Sequence, residues 1–227
     1  MLKFRNLIAL SCVLSLMLFF SASSRAQHDS DSSDVSLKYR ELKHNNNSIP
    51  PYDLFLKGMN GFYTFVKDSS INKNILTLID FRLESTCRRL WVIDIDNSEI
   101  LYNTFVAHGK NTGGNKAKKF SNVPRSYMSS LGFYITAGTY YGKHGLSLNL
   151  DGQEKGFNKT ARKRRIVMHG AKYVSKNFIR KYGRLGRSYG CPALPLKYYK
   201  QIIQTIKNKS CLFIFYPDPK YLKNSTI

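Results

Sequence analysis

The stretch RRIVMHGAKYVSKNFIRKYGRLGRSYGCPALP sets an imidazole, His169, and a thiol, Cys191, at the two ends of one segment. Thiol catalysis needs a thiolate, a base to take the proton, and donors aimed at the oxyanion. A free cysteine has a pKa of about 8.5, which must fall for useful reactivity near neutral pH. His169 is the natural base for Cys191. Gly183, Gly186 and Gly190 admit backbone conformations that other residues resist and allow close approach to a ligand. Pro192 suits the first position of a short helix, which would place Cys191 at its N-cap, where the dipole favours a thiolate. Because Pro192 has no N–H, an oxyanion hole here must use the N–H of Cys191 together with that of Gly190 or Tyr189. Arg187 is expected to add positive potential or bind a substrate carboxylate.

The N-terminus bears on the redox state of that thiol. Lys3 and Arg5 precede an apolar run from Leu7 to Phe20, and small residues follow to Ala26. This is the pattern of a secretory signal over residues 1–26, and the run is shorter than a spanning helix needs. The expectation is an exported chain with no transmembrane segment after cleavage. Cys12 leaves with the signal, so Cys87, Cys191 and Cys211 remain. An odd count in an oxidising compartment leaves at least one thiol free or paired to another chain. Cys211, in SCLFIFY, reads as a small buried hydrophobe. A Cys87–Cys211 bridge stays open.

Loss of the signal takes the formal charge from +22 to +19. Such a balance speaks to partners and not to fold. Nucleic acid is disfavoured, since export argues against it and no regular aromatic and basic platform appears. An anionic envelope polymer or membrane surface fits better. Clusters such as Arg162-Lys163-Arg164-Arg165 read as solvated faces.

About two hundred residues then form one domain. Residues 27–50 read as a flexible polar leader. PPYDLFLKGMNGFYTFVKD carries apolar residues at helical spacing. Short strands are expected at Ile75–Phe81, Leu90–Ile95, Ile100–Ala107, Gly132–Thr136, Leu146–Leu150, Arg165–His169 and Leu212–Tyr216. Helices are expected at Ser175–Tyr182, with Ser175 as N-cap, and at Leu196–Lys207. Many short strands with few helices predict a mostly β sandwich or barrel. The strand ending at His169 and the loop ending at Cys191 can then meet.

At these residues the chain resembles the L,D-transpeptidase catalytic domain of the YkuD type, whose signature is H-G and later G-x-x-x-[ST]-x-G-C. Gly186 does not fall on the first glycine of that spacing, and Arg184 to Cys191 preserve its end as Ser188, Tyr189, Gly190 and Cys191. LWVIDI, LYNTFVAHGKNTG, the stretch from FSNVPRSYMSS to GFN, and SCLFIFYP resemble a divergent branch, the murein L,D-transpeptidase catalytic domain proteins. The resemblance implies a YkuD-like β-sandwich or barrel with flanking helices over residues 51–217, and a tail at 218–227. It implies Cys191 as nucleophile and His169 as base, oriented through the Gly170 carbonyl. Ser188 would shape the loop, and His108 and His144 would line the cleft or serve as structural hydrogen bonders. It implies peptidoglycan stem peptides as substrate, a thioester intermediate, release of D-alanine, and neither cofactor nor metal. Better-known members follow G-C with an apolar residue and a substrate-binding arginine. Here Pro192-Ala193-Leu194 stands instead, and Arg187 or Arg184 is the expected substitute. Water as acceptor would give an L,D-carboxypeptidase, a different bond an endopeptidase, and loss of turnover a basic wall-binding module.

Overall fold

The computed structural model describes residues 34–225, so the expected signal and the first part of the leader lie outside the described residues. Residues 34–40 are helical. Among the described residues no helix is long and apolar enough to cross a membrane.

Helix α1, Tyr52–Lys67, buries Leu54, Phe55, Gly58, Met59, Gly61, Phe62 and Phe65. That spacing of three and four residues makes one apolar face. Gly58 and Gly61 are needed because a Cβ would run into Leu78 and into the Phe133 ring, so the helix lies close on the sheet. The chain then enters an antiparallel meander of β1 (Ile75–Asp80), β2 (Leu90–Asp94) and β3 (Glu99–Thr104). Strand β4 (Gly132–Gly142) forms a hairpin with β5 (Gly145–Gly152), and β6 (Val167–Ala171) pairs antiparallel to β5. Helix α2 (Lys176–Tyr182) starts at Ser175, whose Oγ accepts the Phe178 N–H, as expected of a capping serine. Strand β7 (Ala193–Pro195) lies parallel to β6. Helix α3 (Tyr199–Ile206), strand β8 (Cys211–Phe215) and helix α4 (Pro219–Asn224) complete the domain.

The architecture is mostly β: one eight-stranded sheet in the order β3-β2-β1-β8-β4-β5-β6-β7, with a few helices against it. Strand β8 enters the middle, parallel to β1 and antiparallel to β4. The two edges approach each other where Ala107, just past β3, bridges Ala193 of β7. Ala107 N–H donates to the Ala193 carbonyl at 2.9 Å, and Ala193 N–H returns at 3.3 Å. The sheet is thus a nearly closed barrel, and small residues at the seam, Ala107, Ala171 and Ala193, permit that approach.

Several boundaries differ from the sequence reading for physical reasons. Strand β4 runs six residues beyond Thr136, past a register shift between Thr136 and Thr139. The added half is largely exposed and so carries no hydrophobic alternation to read. No short helix follows Cys191; Pro192 leads into β7, and the expected N-cap placement of the cysteine is corrected accordingly. Residues 42–50, read as part of the leader, run along the sheet edge: Lys43 bridges Glu99, and the Ser48 carbonyl accepts the Trp91 Nε1–H at 2.8 Å. The C-terminal residues include α4, capped by Asp218 and anchored by the Tyr221 hydroxyl donating to buried Glu154. Cys87, Cys191 and Cys211 are all free thiols, with Cys87 exposed and Cys211 buried.

Behind the seam lies a buried guanidinium. Arg89 donates to the Val106 carbonyl at 3.1 and 2.9 Å, to the Leu83 carbonyl at 2.8 Å, and to Nδ1 of His108 at 2.8 Å. Burial pushes its pKa down to about 9, which leaves it charged near neutral pH. His108, 1 % exposed, must offer Nδ1 as an acceptor to this donor and is therefore the neutral form. Burial, then the Arg89 charge, hold its pKa at about 3.

Two outcomes are expected. Arg89→Ala strands two buried carbonyls and an imidazole nitrogen, and should lower stability by about 3 kcal/mol or more in urea unfolding. As pH falls below about 6.5 the unfolded chain protonates His108 while the folded chain does not. Stability should therefore fall with pH through that window, by up to about 1.4 kcal/mol per unit. The slope between pH 6.5 and 5 should be shallower in His108→Gln.

Candidate active site

The pairing of β6 with β7 sets the geometry of the two reactive groups. His169 is opposite Ala193 in parallel register, so carrying that ladder back two residues puts Cys191 abreast of Val167. Residues two apart on a strand share a face, which places the thiol and the imidazole on the same side, about one two-residue repeat apart. Contacts at sulfur agree: the Val167 N–H points at Sγ at 3.5 Å, and Sγ lies 3.8 Å from the Arg165 carbonyl. Thiol and imidazole are not hydrogen-bonded to each other among the described residues. Cys191 is half-buried, whereas His169 is 2 % exposed.

His169 Nδ1 lies 3.0 Å from the Gly170 carbonyl. A carbonyl can only accept, so Nδ1 carries the proton and Nε2 keeps its lone pair. Gly170 itself is packed under Tyr199, where a Cβ would meet the ring at 2.7 Å. His144, on the turn between β4 and β5, stacks on His169 with centroids 4.3 Å apart and planes at 18°. The exposed overhang of β4 therefore delivers a second imidazole to the site, together with Lys143.

The loop before Cys191 is fixed from below. Ser188 Oγ donates to the Cys191 carbonyl at 2.6 Å and accepts the Gly190 N–H at 3.0 Å. Its backbone is pinned on both sides, Ser188 N–H to the His108 carbonyl and Lys110 N–H to the Ser188 carbonyl. Ser129 Oγ donates to the Gly190 carbonyl at 3.1 Å. Gly190 has φ +124°, and a Cβ there would lie 2.7 Å from the Met128 carbonyl oxygen, so only glycine fits. Arg164 stands beneath, its guanidinium donating to the Ser121 and Met128 carbonyls and to the hydroxyls of Ser126 and Ser130.

Electrostatically the pair is neutral at rest. Burial raises the Cys191 thiol above its ordinary value, against the Val167 N–H and the charges of Arg164 and Lys143, which lower it. Burial lowers His169, opposed by its bond to Gly170 and assisted by His144 and Lys143. The arrangement can pass a proton from sulfur to Nε2 as an acyl group is attacked.

Comparison with known proteins gives the family of the domain. A family model described as L,D-transpeptidase catalytic domain matches residues 46–215. The chain belongs to that family. Among solved structures it is similar to an L,D-transpeptidase from Mycobacterium smegmatis, at 10% identity and TM-score 0.39, covering 63% of this chain and 59% of that one. A helical cell shape determining protein, Pgp2, from Campylobacter jejuni matches at 14% identity and TM-score 0.41, covering 63% and 48%. An L,D-transpeptidase from Stackebrandtia nassauensis matches at 15% identity and TM-score 0.37, covering 72% and 66%. The chain thus spans about half to two thirds of the length of these relatives. No protein of curated function matches it.

Within this L,D-transpeptidase domain some expected positions move. His108 does not line the cleft; it is the buried acceptor of Arg89, and only its carbonyl reaches the loop. Arg184 donates to the adjacent Leu185 carbonyl, and Arg187 to the carbonyls of Lys110 and Gly113, and among the described residues neither bonds Cys191 or His169. The cations whose charge reaches the thiol are Arg164 and Lys143. Arg164 was hidden in a basic run that reads as a solvated face. The Gly190 N–H is taken by Ser188, so of the backbone donors expected for an oxyanion only those of Tyr189 and Cys191 remain candidates. Tyr189, 63 % exposed, pairs with Tyr127 at 4.8 Å, and Lys110 Nζ lies over both rings at 4.6 and 5.0 Å. Sequence offered no signal for Tyr127, which lies more than sixty residues from the cysteine.

A neutral resting pair has a visible signature. Alkylation of Cys191 by iodoacetamide should keep rising with pH through about 9, without the plateau near pH 6 to 7 that a thiolate–imidazolium pair gives. Intact-mass rates, with Cys191→Ala subtracting any reaction at exposed Cys87, check this.

Proposed function

We propose that this L,D-transpeptidase domain is a cysteine acyltransferase acting on peptidoglycan stem peptides outside the cytoplasm. The observation that supports the reading best is the thiol of Cys191 set beside an imidazole whose tautomer is fixed by the Gly170 carbonyl. His169 Nε2 takes the proton from Sγ as sulfur bonds to the carbonyl carbon before the terminal D-alanine. The oxyanion that forms is met by the N–H groups of Cys191 and Tyr189. As the C–N bond breaks, His169 returns the proton to the leaving amine, giving a thioester and free D-alanine. A side-chain amine of a second stem then attacks the thioester. Its proton passes by way of His169 to the departing sulfur, and an amide cross-link and the free thiol result. The signal-like pattern of residues 1–26 and the +19 charge that remains without it support a place of action at the anionic envelope.

Lys110, Lys143 and Arg164 make the surroundings positive, which suits stems bearing carboxylates. Arg164, whose two terminal nitrogens are engaged by four acceptors, acts by field and by shaping the loop.

Intact-mass spectrometry of the protein with a defined disaccharide-tetrapeptide tests the reading. The native chain should gain an acyl adduct with release of D-alanine, and Cys191→Ala should gain none. His169→Ala should slow acylation by about 10²- to 10⁴-fold with substrate affinity little changed. Absence of adduct and turnover, with the thiol free and the fold intact, would overturn it.

A further inference from the structure

Past the Ala107–Ala193 bridge the two edges of the sheet diverge, and the seam opens into a groove of about 830 Å³. Its walls come from β3 on one side and the ends of β6 and β7 on the other. It lies beyond Pro195, four residues along from Cys191, or roughly 13 Å of strand away. This is the size of a small-molecule site, and it is distinct from the thiol.

The lining is chemically one-sided. Arg88, Lys172, Lys176 and Lys197 contribute cations, all exposed, and no carboxylate lines the groove. Tyr102 and Tyr198 add aromatic side chains to the lining. Lys197 Nζ lies 4.9 Å from the Tyr198 ring centroid. Arg88 and Lys176 line the same recess as Lys197 and Tyr198, and the Tyr198 hydroxyl is held below its ordinary pKa, first by Lys197 and then by the charges of Arg88 and Lys176.

We propose that this groove binds a carboxylate-bearing glycan strand, with sugar faces against Tyr102 and Tyr198 and acid groups between Arg88, Lys176 and Lys197. Flat amphipathic rings suit sugar faces, and converging cations suit an anion presented at one point. A nucleic-acid strand asks instead for cations spaced along its backbone, whereas here they cluster inside a concave recess. The site needs no turnover at Cys191, so it stands or falls apart from the acyltransfer reading.

The test uses the full chain and a fluorescent hexagalacturonate, beside neutral chitohexaose and a hexathymidylate. The uronate should bind at least tenfold more tightly than either comparison ligand. Arg88→Gln/Lys176→Gln/Lys197→Gln should weaken it at least tenfold and Tyr198→Ala severalfold, while Cys191→Ala binds as the native chain does. Lys116→Gln/Lys118→Gln/Lys119→Gln, which removes equal charge elsewhere, should leave binding unchanged. An unchanged Cys191 alkylation rate reports an intact fold in each groove and control variant that keeps the cysteine, and single Lys197→Gln replaces the triple variant if that rate moves. Equal weakening in the control variant, or equal binding of chitohexaose or hexathymidylate, overturns the proposal.

Discussion

One buried guanidinium fixes the part of the barrel on which the site rests. Arg89 has no carboxylate at hydrogen-bonding distance; its charge is met by two backbone carbonyls and one imidazole nitrogen, and its face lies on the Phe81 ring at 4.8 Å. A buried charge is tolerated only when so many donors find partners. Those partners are the ones that matter: Val106 and His108 flank Ala107, which makes the seam bridge, and the His108 carbonyl holds Ser188. Position therefore passes from a core arginine, through three consecutive residues, to both the strand after the cysteine and the loop before it.

The reactive pair gains its character from the same dry setting. Burial disfavours charge on either partner, so thiol and imidazole both rest neutral although cations stand near. The orienting acceptor for His169 is a backbone carbonyl and not a carboxylate, so it sets the tautomer without adding a negative charge that would favour imidazolium. On the acyltransfer reading proposed above, the proton would move when substrate arrives rather than beforehand.

Much of this was legible in the chain because it is written locally. Alternating and continuous apolar runs gave seven of the strands to within a few residues, apart from the far half of β4, and Ser175 announced its helix. His169 and Cys191 stood out through type and spacing, and Gly170 and Ser188 through the family resemblance; Gly170 lies against His169 and Ser188 against Cys191. What escaped is set by tertiary register. Strand β7 is three residues long and exists only between β6 and Ala107. Arg164 looked like one more surface cation until the loop from Ser121 to Ser130 wrapped around it. His108 was legible as a histidine in a suggestive stretch, but its environment depends on Arg89, nineteen residues away. Pro192 carried a local helix signal that the neighbouring strand overrode.

The placement of β8 between β1 and β4 has a consequence for the order of assembly. Leu76 pairs with Cys211, so the middle of the sheet joins residues separated by most of the domain. Closing so long a loop costs entropy before any contact rewards it, and parallel pairings of this kind form slowly. Until residue 215 has emerged, the two halves, β1 to β3 and β4 to β7, share no strand between them. The seam that positions Ala107 against Ala193 spans those halves. A growing chain thus carries both its histidine and its cysteine well before it carries the means to hold them in place, and the seam between them is fixed only as the last of its strands is laid in.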